Sequence, residues 1–169
     1  MPSNKISNNY EMKLVVHNIT FKNTEKDNNP NLQIKNYTFL IVDDEFFIRS
    51  SVKRVITSYL KSLKENINLE IIEACDGVEC IMALYMAKNK KLKIDAIISD
   101  ETMPFISGSY SSKIIDELIS KGSLNNIKMF VSTALSHTNI SSYFSKVVKK
   151  IFSKPLDKTV IQEILQNIK

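Results

Sequence analysis

The chain has 169 residues, a formal net charge of +5 and 43% apolar residues, enough for one domain with a core plus an extension. No run of about 18 apolar residues appears, so no membrane span is expected. The first residues, MPSNKISNNYEMK, lack the apolar stretch and small-residue cleavage site of a secretory signal, and the expected location is cytoplasmic. Two cysteines, Cys75 and Cys80, are too few for a disulfide framework and are not spaced as a zinc knuckle; they read as reduced thiols flanking a helix start. The lysines are scattered, with clusters at 88–93 and 146–150, and Arg49 and Arg54 are the only arginines. Without an Arg-rich stripe interleaved with aromatics, these clusters read as solvated surface, and nucleic acid is not an expected partner.

Residues 1–37 include nine asparagines and read as a linker or tail, poorly ordered. Within them KLVVHNITF (13–21) has strand-like content. It fits a short edge strand or a remnant of an upstream domain. His17 stands there alone and reads as a surface histidine.

From residue 38 apolar runs alternate with helical patterns. TFLIV (38–42) is a continuous apolar run, as a strand buried on both faces requires. Residues 45–64 carry Phe47, Ile48, Val52, Val55, Ile56, Tyr59, Leu60 and Leu63 at helical spacing. LEIIEA (69–74) reads as the next strand, followed by a helix from Gly77. IDAIIS (94–99) is the third strand of this series. A helix over 107–121 ends near Gly122, a C-cap residue by type. IKMFVST (127–133) is the fourth strand, 136–147 is expected to be helical, and KIFS (150–153) is a short fifth strand. Asp157 is placed to cap a last helix. Five β-α alternations over 38–169 predict a doubly wound parallel sheet with helices on both faces.

Five polar residues fall at the ends of these strands: Asp43 and Asp44, Asp100, Thr133, and Lys154, which Pro155 follows. In an open parallel sheet the carboxyl ends of the strands form the ligand crevice. Adjacent buried acids repel, and a hard divalent cation that takes oxygen ligands is the simplest relief. Three carboxylates, a hydroxyl and an ammonium at one rim suit a divalent cation and a phosphoryl group.

With those pieces in order, region 38–169 resembles the receiver domain of two-component response regulators, CheY-like, either stand-alone or as the C-terminal receiver of a hybrid histidine kinase. The matching pieces are LIVDDE (40–45), DETMP with Gly108 (100–108), STA (132–134) and SKPL (153–156). Asp95 matches a recurring acid of that family's third strand. The resemblance implies a flavodoxin-like (βα)5 fold with strand order 2-1-3-4-5. It implies Asp100 as phosphoacceptor, with Mg²⁺ held by Asp44, Asp100 and the backbone carbonyl of Thr102, and by Asp43 largely through water. It implies Thr133 on a phosphoryl oxygen, Lys154 paired with the phosphate or with Asp100, and a cis bond before Pro155. Gly108 is expected to allow a backbone shape that other residues resist.

The implied function is a phosphoacceptor in a phosphorelay, with self-catalysed phosphorylation and dephosphorylation rather than enzymatic turnover. The implied partners are a histidine kinase or histidine phosphotransfer protein and a downstream protein effector. The sequence departs from the family at Ile151, where an aromatic residue is usual, and before the fifth strand, where KVVKKI lacks a Gly-Ala pair. Asp44 and Asp100 are 56 residues apart, with added length expected at 61–68 and 87–93. Two other classes remain open. One is a phosphorylation-independent binding module. The other is an aspartyl-phosphate phosphatase of the haloacid dehalogenase type, against which the residues two after Asp43 and Asp100 are Glu45 and Thr102 rather than aspartates.

Overall fold

The computed structural model describes residues 15–21, 33–134 and 141–168. Six strands form one sheet: β1 (Val15–Phe21), β2 (Lys35–Val42), β3 (Ile67–Ala74), β4 (Ala96–Ser99), β5 (Lys128–Thr133) and β6 (Val148–Ser153). Among the described residues four helices accompany them: α1 (Phe46–Ser62), α2 (Gly77–Asn89), α3 (Gly108–Ser120) and α4 (Lys158–Ile168). The spatial order is β1-β3-β2-β4-β5-β6. Counted from β2, the parallel strands run 2-1-3-4-5, the doubly wound order expected from the sequence.

Alternation along the strands divides the core in two. Phe39 and Ile41 of β2, Ile98 of β4, Phe130 and Phe152 face α1 and α4. Leu40, Val42, Ile97, Met129 and Val131 face α2 and α3. Strands buried on both faces need apolar side chains at successive positions, which is why these segments read as continuous apolar runs.

The sheet has one strand more than the five expected from residue 38 on. β1 lies within the segment read as linker or tail, and it pairs antiparallel with β3 from Val15↔Glu73 to Phe21↔Ile67. The edge strand expected within 13–21 is observed over Val15–Phe21. Both β2 and β3 also begin earlier than their apolar runs, with Lys35, Asn36 and Tyr37 paired to Ile67, Asn68 and Leu69. Side-chain bonds between Asn68 and Asn36, 3.0 Å, and between Lys35 and Glu65, 2.8 Å, tie the polar extension together. Part of the added length at 61–68 is therefore strand.

Helix 136–147 is corrected where it can be seen. Residues 136–140 lie outside the described residues, Ser141–Tyr143 form one 3-10 turn, and 144–147 are not helical. Serine side chains compete for backbone partners and weaken a helix. Here Ser145 Oγ donates to the Ser112 carbonyl at 2.7 Å and Ser145 N–H donates to Ser112 Oγ at 3.1 Å, which pins the segment to α3 before β6 begins. The other ends follow local chemistry. Asp76 accepts from Glu79 N–H to cap α2, and Asp157 accepts from Thr159 and Val160 N–H to cap α4. Gly122, at φ 69°, follows α3 in the left-handed region.

Candidate functional site

The site forms where β2 and β4 end side by side. The Asp100 N–H donates to the Val42 carbonyl at 2.8 Å, one rung beyond the ladder, and Asp43 N–H donates to Ala74 O at 3.2 Å. These bonds set two acidic strand ends against each other. Among the described residues one group of acids could hold a metal ion: Asp43, Asp44 and Asp100, with ligand oxygens all within 4.8 Å. Asp43 and Asp100 are buried and Asp44 is exposed.

Lys154 enters from the far side of the sheet. Its Nζ lies 2.7 Å from Asp43 Oδ2 and 3.0 Å from Asp100 Oδ2. Burial alone would lower the Lys154 pKa, but the bonds to Asp43 and Asp100 outweigh it and hold the ammonium above its ordinary value. Its backbone N–H donates to the Thr133 carbonyl at 2.9 Å, so β5 and β6 deliver Thr133 and Lys154 together. Thr133 is buried at the end of β5, and the Lys154–Pro155 bond is cis. Thr102 sits exposed in the loop after β4.

The second carboxylate oxygens of Asp43 and Asp100 are oriented from the backbone. Glu45 N–H donates to Asp43 Oδ1 at 2.9 Å and Glu101 N–H to Asp100 Oδ1 at 2.7 Å. Three carboxylates against one ammonium leave an excess of negative charge. At an effective dielectric of ~20 and a separation near 5 Å, each like-charged pair costs roughly 3 kcal/mol. One ammonium shared between two of the acids cannot offset all of it. The donor set is hard oxygen only, which fits Mg²⁺.

Gly108 serves the site differently from expectation. Its φ is not positive; instead a Cβ there would lie 2.3 Å from the Asp100 carbonyl oxygen. The glycine is needed for close approach of α3 to the strand end. Glu101 accepts from Ser109 N–H, 2.7 Å, and Ser109 Oγ, 2.8 Å, in the first turn of α3, which Ser107 caps. Asp95 has a structural role, accepting from Thr38 N–H at 2.9 Å and pairing with Lys93. Ile151 packs into the α2–α3 side of the core, whereas Phe152 faces the opposite side and stacks on Phe130. Leu135, which would flank the site, lies outside the described residues. Both cysteines are free thiols, with Cys75 pushed up to about 11 and Cys80 to about 12 by burial, which favours the protonated form.

Sequence reading missed the residues behind the acids. Arg49 of α1 donates from Nη1 to the carbonyls of Asp43, 2.6 Å, and Asp44, 3.3 Å, and from Nε to Glu73 at 3.2 Å. Glu73 is buried and also meets Lys53 at 2.7 Å and His17 at 2.8 Å. A signal was present: Glu73 is a charged residue inside a buried strand, on the parity of Ile67, Leu69 and Ile71, which face α1.

No family model matches the sequence, and no curated protein matches it. Solved structures do. A two-component response regulator from Cytophaga hutchinsonii superposes with a TM-score of 0.68 at 16% identity, covering 80% of this chain and 98% of that one. The fold is that of a response-regulator receiver domain. The response regulator TrrA from Thermotoga maritima, solved with Mg²⁺ and BeF, gives 0.57 at 24% identity over 79% of this chain and 99% of that one. CheY from Borrelia burgdorferi, in a complex with CheX, BeF3 and Mg²⁺, gives 0.56 at 26% identity over 78% and 88%. Among the described residues, no helix of this receiver fold is long and apolar enough to cross a membrane.

Proposed function

We propose that this chain is a phosphoacceptor signalling domain of a phosphorelay. It accepts a phosphoryl group on Asp100 from a histidine kinase or histidine phosphotransfer protein and presents a changed surface to a protein effector. The observation that carries this is the grouping of Asp43, Asp44 and Asp100 around one point with Lys154 against Asp100 at 3.0 Å. An Asp100 carboxylate oxygen forms the new P–O bond as the P–N bond of a phosphohistidine breaks. Attack of an anion on an anion needs positioning and positive charge more than covalent chemistry.

Lys154, kept protonated by its two acidic partners, supplies part of that charge. Mg²⁺, held by Asp44, Asp100 and the Thr102 carbonyl and through water by Asp43, would supply the rest. Thr133 binds a phosphoryl oxygen. Catalysis is confined to the domain's own phosphorylation and hydrolysis, without turnover of small phosphate esters. Phe47 and Phe105, both largely exposed, start α1 and follow β4, and they give a donor protein apolar contacts beside the acids.

The placement of Ile151 favours a second reading, a binding module whose surface does not respond to phosphorylation, because the usual aromatic is replaced by a side chain packed into the core.

The test is intact mass after incubation with Mg²⁺ and acetyl phosphate, or with a kinase donor. One added phosphoryl group, absent in Asp100→Asn and in EDTA, is the expected result. Mg²⁺ binding with no adduct from either donor would replace this reading with the binding module.

A further inference from the structure

We propose that Arg49, anchored by Glu73, is a positioning residue for the Asp43–Asp44 loop and sets its affinity for a divalent cation. This rests on the metal-binding part of the function proposed above. The guanidinium is fixed on three sides. Nε holds Glu73 at 3.2 Å, Nη1 reaches two successive carbonyls, and the Phe46 ring lies 5.8 Å from the guanidinium carbon.

The two carbonyls belong to the two residues whose side chains supply the acids. Bonding both fixes the backbone between them, and therefore the directions in which the two carboxylates leave it. A planar fork with several donors can hold a carboxylate and two carbonyls at once, which a lysine ammonium does less well.

Glu73 fixes the arginine in turn. It comes from β3, opposite α1, and is also held by Lys53 one helical turn on and by His17 of the added strand β1. Outer partners of metal ligands typically change affinity 10- to 100-fold when removed.

Plain electrostatics makes the opposite forecast for Arg49, because removing a cation beside a metal site strengthens cation binding. The sign of the change therefore separates positioning from charge. Calorimetric titration of the unphosphorylated full chain with Mg²⁺ alone is the experiment, on wild type, Arg49→Met, Arg49→Lys and Lys53→Met.

Arg49→Met is expected to weaken binding about tenfold. Arg49→Lys keeps the charge and is expected to recover only part of the loss. Lys53→Met touches Glu73 but not the loop, and it is expected to match wild type or bind slightly tighter. Wild-type or tighter binding by a folded Arg49→Met overturns the inference. If that variant does not fold, full affinity in Arg49→Lys overturns it equally. Failure of wild type itself to bind Mg²⁺ removes both this inference and the metal-dependent function, whereas wild-type binding with unchanged Arg49 variants removes this inference alone.

Discussion

Two charged clusters meet at the Asp43–Asp44 turn, and they are built on opposite balances. On the rim, three carboxylates are grouped around one point and one ammonium bonds two of them. Behind the turn, one carboxylate, Glu73, is shared by three bases. The exposures explain why only one of them calls for a ligand. The surplus bases reach water, with side chains 37% exposed for His17, 23% for Lys53 and 14% for Arg49, and solvent takes up what Glu73 does not. Two of the surplus acids, Asp43 and Asp100, have side chains only 5% and 9% exposed, so their repulsion is relieved by Lys154 or by a cation. One cluster ties β1, β3 and α1 together and the other could hold a cation.

The comparison breaks most visibly with a divalent cation. Mg²⁺ at about 100 times its Kd should stabilise the folded chain by roughly 2.7 kcal/mol, a melting rise of several degrees for a domain of this size. Asp44→Asn should lose most of that rise while melting no lower than wild type in EDTA, because its carboxylate is the exposed member of a repelling set. Thermal melts with Mg²⁺ and with EDTA decide it, and a wild-type melt indifferent to Mg²⁺ would erase the contrast between the clusters.

The next effect belongs to the other cluster and needs no metal. Stranding the partners of a buried ion pair costs about 3–5 kcal/mol when they stay buried. Lys53 and His17 can turn to water and Arg49 keeps its two carbonyls, so Glu73→Gln should cost less, about 2 kcal/mol. Urea midpoints in EDTA measure it, and a loss within 0.5 kcal/mol of zero, the range of about an ordinary surface substitution, would mean that the cluster holds nothing.

Acid sharpens the same point. Burial pulls the Glu73 carboxyl up, but its hydrogen bonds from Lys53 and Arg49, helped by the charges of Lys53 and His17, hold it below its ordinary 4.5. A lowered folded value means that the stabilisation is complete above the unfolded pKa and fades as pH falls through the folded one. The stability curves of wild type and Glu73→Gln should run apart above about pH 4.5 and converge below it. A gap that widens on acidification would reverse the assignment.

The rim cluster was legible in the sequence because each of its residues ends a strand whose apolar run announces it. Asp43, Asp44, Asp100 and Lys154 meet as the strand order requires. Of the Glu73 cluster only the buried charge itself left a mark in the sequence; its partners did not, because Arg49 and Lys53 reach it from α1 and His17 from the antiparallel edge strand β1. His17 looked solitary for that reason. Residues 136–147 were expected to be helical, and over the described part, 141–147, the pairing of Ser145 with Ser112, a contact 33 residues away, is what the local sequence could not contain. Gly108 was flagged for the wrong freedom, since a close approach to Asp100 leaves no mark on local sequence.

The smallest expected effect tests whether the third base is truly surplus. His17 is the most exposed of the three, and Lys53 lies on the same Glu73 oxygen at 2.7 Å. A pair this exposed contributes about 0.2–1 kcal/mol. β1 is otherwise held by its ladder with β3 and by Ile19 and Phe21 against the core. His17→Gln should therefore lower global stability by about 0.5 kcal/mol, leaving the exchange protection of the β1 amides close to that of wild type. A loss above about 2 kcal/mol, or β1 amides that exchange freely while β3 stays protected, would show that the base facing Glu73 from the edge strand is required. The cluster behind the turn would then be balanced as tightly as the one on the rim.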